Sequence, residues 1–213
     1  MRILAIDTTS NFGSLALHEG GVTLEETPLH APDGFSQVLF GHIEALLRRH
    51  EWPLNSIDVF AAAAGPGSFT GVRVGLTAAK GLADATGSGA LAVSNLRALA
   101  DYGKTNGRGV IMDARRGEIY AAVYNSELKA VSPEVVISFP SWLSNITVQP
   151  EEIVSPDFSA FRASFNLHVP VIEQRTIAAA IARIAERTSA LDPALLDANY
   201  VRRSDAELFW TDR

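Results

Sequence analysis

An apolar strand that stops at an aspartate, followed by two further strands across tight turns, occurs twice in this chain, about a hundred residues apart. In the first copy Ile3-Leu4-Ala5-Ile6 runs into Asp7, and strand-like segments follow at 14–18 and 22–27, joined by a hairpin turn at Glu19-Gly20-Gly21. In the second, Val110-Ile111-Met112 runs into Asp113, and strands are expected at 119–124 and 128–137 with a turn at Asn125-Ser126-Glu127. Aligning Asp7 with Asp113 also aligns Gly13 with a glycine, Gly117, near the same point of the second turn. A duplicated α/β lobe follows from this pattern. The break with the clearest loop composition is 101–108, with Gly103, Asn106 and Gly107, so the lobes are expected at 1–102 and 103–213, the extreme C-terminal segment packing back on the first.

Between these copies the periodicity changes to that of helices. Pro32-Asp33-Gly34 opens a segment with Phe35, Val38, Leu39, Ile43, Leu46 and Leu47 at helical spacing, and Arg48, Arg49 and His50 suit its negative end, so a helix is predicted over 33–50. The apolar run 57–64 reads as a strand buried on both faces, with another at 90–93. Later in the chain a short helix is expected after Pro140, carrying Trp142 and Leu143. A longer one is expected over about 174–189, with Ile177, Ile181, Ile184 and Ala185 on one face.

The stretch from Gly65 to Gly75, Gly-Pro-Gly-Ser-Phe-Thr-Gly-Val-Arg-Val-Gly, feeds a helix predicted over 71–86. Its turn either bends the chain tightly or offers backbone amides to a phosphate. Lys80 lies too deep in the helix for the Walker spacing, which favours the bend. Glycine inside a helix costs about 1 kcal/mol against alanine, so Gly75 and Gly81 call for close packing. The stripe Gly71, Gly75, Ala79 and Ala83 can rest on the chain's own sheet or meet a partner helix, and the expectation is the partner.

Composition narrows the chemistry. No cysteine is present, which removes thiolate catalysis, zinc fingers and iron–sulfur clusters. The five histidines, His18, His30, His42, His50 and His168, include no pair three or four apart, so they read as surface or capping residues and no metal site is expected. A net charge of -6 disfavours tight independent binding of a nucleic acid. Asp7 follows only a handful of apolar residues, too few for a signal-peptide core, and no apolar run approaches the roughly 18 residues of a membrane span. A cytoplasmic protein is expected. Asp7 with Thr8, and Gly67 with Ser68, are candidate phosphate contacts in the first lobe, and Asp113 with Arg115 in the second; turn capping by the same residues is the simpler alternative.

Two lobes that each open on strand, aspartate, turn and strand resemble the actin, sugar-kinase and Hsp70 superfamily. That resemblance implies mixed sheets with helices and a nucleotide cleft between the halves. Beyond it, Leu4-Ala5-Ile6-Asp7-Thr8-Thr9, the Gly65 to Gly75 stretch, Lys80-Gly81-Leu82-Ala83, Asp113-Ala114-Arg115-Arg116-Gly117-Glu118-Ile119-Tyr120 and Tyr200-Val201-Arg202 closely resemble the bacterial TsaB family, formerly YeaZ. The chain departs from it at Phe35-Ser36, where members often carry His-Ser, and at Gly41, where the helix often holds a proline.

Such a resemblance implies a noncatalytic partner in the synthesis of threonylcarbamoyladenosine in tRNA, one that binds and activates the catalytic relative TsaD together with the ATPase TsaE. It implies a homodimer when alone, contact with tRNA only through the complex, and no intrinsic cofactor, ATP or ADP with magnesium belonging to an interface of the complex. The docking helices map to 33–50 and 71–86, with Phe35, Val38, Leu39, His42, Leu46, Gly71, Val72, Arg73, Gly75, Leu76, Ala79 and Ala83 as contact residues. The alternative is a nucleotide-binding or nucleotide-hydrolysing enzyme, or a peptidase-like one, acting alone.

Overall fold

The first strand sets the layering. Along β1 (Arg2–Asp7), Ile3 and Ala5 join one core while Leu4 and Ile6 join another, the alternation that a strand imposes. All four are fully buried, so both faces of this sheet are covered. The structure, a computed structural model, describes residues 1–162, 169–199 and 201.

On one side of β1 lie β2 (Phe12–Glu19) and β3 (Val22–His30), both antiparallel, with Asp7 opposite Ser14. On the other lie β4 (Val59–Ala63) and β5 (Gly89–Val93), both parallel, giving the order β3-β2-β1-β4-β5. The second sheet comprises β6 (Arg108–Arg115), β7 (Glu118–Tyr124), β8 (Ala130–Ser138), β9 (Glu152–Ser155) and β10 (Val171–Glu173). Its order is β8-β7-β6-β9-β10, with the same succession of two antiparallel and two parallel neighbours. The chain therefore has a duplicated two-lobe α/β fold. Strands β9 and β10 carry too few residues for a periodic signal and were not expected.

Helices α1 (Leu39–Arg49) and α2 (Phe69–Thr86) cover the outer face of the first sheet. Between the two sheets sit α3 (Asn95–Ala100), against β6, β7 and β9, and α5 (Ala178–Glu186), against β1, β2 and β4. The short α4 (Phe139–Asn145) brings Trp142 to the outer core of the second sheet. Although α5 comes late in the chain, it rests on the first sheet, where the Ala178 amide donates to Ser14 Oγ at 3.0 Å. The segment beyond it stays there: Leu191 bridges Ala90, and Leu196 is buried beside α2.

Two helices are shorter than their apolar spacing predicts. Residues 35–38 make a separate turn, closed by the Val38 and Leu39 amides on the Phe35 carbonyl, because Gly34 at φ +96° breaks the path from Pro32. Before α5, Gln174 Nε2 donates to the Thr176 carbonyl and hydroxyl, a local bond that competes with helix. Helix α3 was missed; Ser94 caps it by accepting from the Arg97 amide.

Candidate functional site

The residues at the end of β1 are bound to one another. Asp7 is 3% exposed, and its Oδ1 accepts from the Thr9 amide at 2.9 Å and from the Thr9 hydroxyl at 2.7 Å. Thr9 Oγ1 in turn accepts from Asn95 Nδ2 at 2.6 Å, and Asn95 Oδ1 accepts from the Gly65 amide at 3.0 Å. One buried chain of bonds thus ties the β1 turn to the start of α3 and to the glycine turn. Burial pushes the Asp7 carboxyl up to about 6, against the pull of the two Thr9 bonds. Thr8 points the other way, its hydroxyl donating to the Gly71 carbonyl at 2.7 Å.

Glycine is required where α2 begins because the helix lands directly on this turn. A Cβ at Gly71 would stand 2.1 Å from the Thr8 carbonyl oxygen, one at Gly67 2.6 Å from that of Thr9, and one at Gly75 2.7 Å from Thr8 Oγ1. Ser68 caps the helix, accepting from the Gly71 amide at 3.2 Å while its own amide donates to the Thr9 carbonyl. This corrects the expected docking stripe. Gly75, Ala79 and Ala83 are buried against the chain's own sheet, as are Val72 and Leu76, and Gly71 is half-buried on Thr8. Phe35, Leu39 and Leu46 belong to the same core and form no outer surface either. Of the expected contact residues, Val38, His42 and Arg73 face solvent. A Cβ on Gly81 would meet nothing within 4 Å, so packing does not account for that glycine.

The outer sides of α1 and α2 frame a groove of about 470 Å³, walled chiefly by Phe40, Phe69, Thr70, Arg73, Val74 and Thr77. Its rim is unusually apolar for a surface: Phe40 is 57% exposed and Phe69 46%, with Val38 nearby at 39%. The Arg73 guanidinium lies 3.8 Å over the Phe69 ring. Phe40 and Phe69 were missed in the sequence, yet Phe40 carried a signal. It falls off the Leu39, Ile43, Leu46 stripe and among Gly41, His42 and Glu44, where a large apolar side chain has no core to enter.

The second lobe's turn is open. Asp113 is exposed and its Oδ1 accepts from the Arg115 amide at 2.7 Å, while Arg115, Arg116 and Gly117 take left-handed φ of 66°, 57° and 76°. The candidate phosphate contacts thus divide. Asp7 and Thr8 bond within the first turn, Gly67 backs onto Thr9 and Ser68 caps α2 from an exposed position; Asp113 and Arg115 lie at the surface. Among the described residues no group of three or more His, Cys, Asp or Glu is placed to hold a metal ion, and no helix is long and apolar enough to cross a membrane. His18 departs from the surface reading: it is fully buried, with Nε2 3.0 Å from Glu186 Oε2 and Nδ1 3.1 Å from Thr23 Oγ1. Tyr200, Arg202 and His168 lie outside the described residues.

A family model described as TsaD, tRNA N6-adenosine threonylcarbamoyltransferase, matches residues 8–199. The chain is 34% identical over 152 residues to the tRNA threonylcarbamoyladenosine biosynthesis protein TsaB of Bacillus subtilis, a stretch covering 67% of this chain and 65% of that one. Against the TsaB protein of Escherichia coli it is 36% identical over 131 residues, 60% of this chain and 56% of the relative. The chain belongs to the TsaB (YeaZ) family. It spans less than two thirds of the length of either curated relative. A Pseudomonas aeruginosa structure described as similar to peptidase YEAZ shares the fold, with a TM-score of 0.80 at 22% identity over 94% of this chain and 99% of that one. The groove described above is thus carried on a TsaB-family scaffold, on the side of the first sheet that faces away from the second lobe.

Proposed function

We propose that this chain is a noncatalytic subunit of the machinery that forms threonylcarbamoyladenosine in tRNA, binding and activating TsaD together with TsaE through the groove between α1 and α2. The observation that carries the docking surface is the exposed pair Phe40 and Phe69 on a face whose inner side is already fully packed. The names of the curated relatives supply the process. The same face accounts for a homodimer when the chain is alone, and tRNA is reached through the complex in the cytoplasm. ATP or ADP with magnesium is assigned to an interface of that complex rather than to the Asp7 turn, whose polar groups are taken up locally. That local engagement also weighs against an enzyme working alone on nucleotides.

Replacing Phe40 with Asp puts a charge in the groove without touching the core, so the chain should stay folded and its affinity for TsaD should fall at least tenfold, with modification falling alongside. Leu195→Asp, at a residue 67% exposed and outside the groove lining, serves as the control and should leave both unchanged. Size-exclusion chromatography with purified TsaD and a tRNA modification assay read the two effects. Normal binding by Phe40→Asp would remove the groove from the interface.

A further inference from the structure

We infer that Glu134, on the second sheet, is a positioning residue for the start of α2: through Ser94 and Asn199 it holds Ala64 and Gly65, the bend from which that helix departs. The four backbone polar groups of Ala64 and Gly65 are all engaged. The Ala64 amide extends the β4–β5 pairing by donating to the Val93 carbonyl at 2.8 Å, and the Ala64 carbonyl accepts from the Asn199 amide at 2.8 Å. Asn95 takes both groups of Gly65, its amide donating to the Gly65 carbonyl at 2.8 Å and its Oδ1 accepting from the Gly65 amide at 3.0 Å. A Cβ on Gly65 would also lie 3.3 Å from the Asn199 carbonyl oxygen. Two residues far apart in sequence, Asn95 and Asn199, therefore clamp the point at which the chain turns from β4 towards α2.

Both halves of the clamp converge on one carboxylate. Glu134 Oε2 accepts from Asn199 Nδ2 at 2.5 Å, and its Oε1 accepts from the hydroxyl of Ser94, the residue before Asn95 and the cap of α3. The Tyr124 hydroxyl donates to the same Oε1; burial above all, and then the charge of Glu134, push its ionisation well up, so it stays a donor. Bonds to a carboxylate are stronger than those between neutral groups, which suits one side chain to hold two segments. The strand is shaped for this contact. Between β7 and β8, Ala121 pairs with Val135 and Val123 with Ser132, so Ala122 alone stands opposite Pro133 and Glu134. Such a bulge re-aims a side chain, and it tolerates a proline, which has no N–H for the ladder. Strand β8 is an outer strand of the second sheet, whereas Ser94 directly follows β5 and Asn199 is bonded to Ala64, so the contacts of Glu134 cross from one sheet to the other. The first turns of α2 carry Phe69 and Arg73 into the groove wall. A residue outside the groove lining thus sets where that wall stands, and this follows from the bonding without reference to any partner.

The test is hydrogen exchange by NMR on the full chain, read at the Gly65, Ser68 and Val72 amides, which donate to Asn95, Thr9 and Ser68. Glu134→Ala should speed exchange there at least tenfold while leaving the Ile153 amide, bonded to the Pro170 carbonyl in the second lobe, within twofold. Asn199→Asp sets one carboxylate against another and should do the same. Adding Glu134→Gln to Asn199→Asp restores a donor facing an acceptor with the roles exchanged, and should bring the three rates back to within threefold of the unaltered chain. A side chain that merely filled space would show no such rescue. Glu127→Gln, at an exposed glutamate in the turn before β8, is the control and should change none of the four rates. Circular dichroism checks that each variant is folded, and the acid–amide exchange decides the matter even where Glu134→Ala does not fold. Unchanged rates at Gly65, Ser68 and Val72 in Asn199→Asp would overturn the inference, as would equal acceleration at Ile153 or a double variant that exchanges as fast as Asn199→Asp alone. Because no TsaD is present, these results stand apart from the partner reading: a clamp confirmed in this way, with no TsaD binding by the unaltered chain, would break that reading alone.

Discussion

Asp7 and Asp113 end corresponding strands of two sheets with the same strand order, yet the first is sealed and the second lies open. The difference does not come from the turns' own sequences, since each aspartate accepts a bond from the backbone amide two residues on. It comes from what covers them. In the first lobe the Gly65 to Gly75 stretch brings α2 down onto Thr8 and Thr9, and Asn95 reaches in from the other side. In the second, the turn passes through three left-handed residues at the surface. The strand-end aspartate becomes a structural clasp where a helix is packed over it, and there burial raises its carboxyl.

The largest test of this contrast is Gly71→Ala. With the Thr8 carbonyl 2.1 Å from the new Cβ, α2 must lift off the turn, and the loss should be about 3 kcal/mol or more by urea denaturation. Its counterpart in the open turn is Gly117→Ala, where nothing lies within 4 Å and only φ of +76° opposes the substitution; about 1 kcal/mol is expected. Similar losses at the two sites would erase the distinction.

Next in size is the titration of Asp7. Its folded value of about 6 stands above the ordinary aspartate value of 3.8, so the folded state holds the proton more tightly. The stabilisation is complete below the unfolded value and is lost as pH rises through about 6, an effect on the order of 3 kcal/mol. Asp7→Asn, which keeps an acceptor for Thr9, should flatten stability between pH 4 and 6. A variant curve falling as steeply as that of the unaltered chain over this interval would mean that Asp7 is not its source. The smallest effect belongs to Asp113→Ala, which removes one exposed turn bond and should cost about 0.5 kcal/mol, measured by thermal unfolding.

Much of this architecture was legible locally. The repeat around Asp7 and Asp113 anticipated two sheets with matching order, and the unbroken apolar run at 57–64 anticipated β4, buried at every position. Helix ends were less legible, because Gly34 and the Gln174 side chain redirect the backbone while the apolar spacing continues past them. Of the residues expected to form a contact face on these two helices, most turn inward. Leu39, Leu46, Val72, Leu76, Ala79 and Ala83 have the spacing of a contact face and use it on their own sheet, whereas Phe40 and Phe69 shape the outer surface.

By itself, then, the sequence determined the periodicities of two and 3.6, the duplicated lobe and the glycine turn that must lead into α2, since each follows from short-range sterics and hydrophobic spacing. Tertiary structure alone decided which side of α2 turns inward. Both sides carry apolar residues, so burial gain does not choose between them. The choice rests on distance, because the helix lies so close to Thr8 that only the glycine side fits, and that leaves Arg73, Val74 and Phe69 to face the groove.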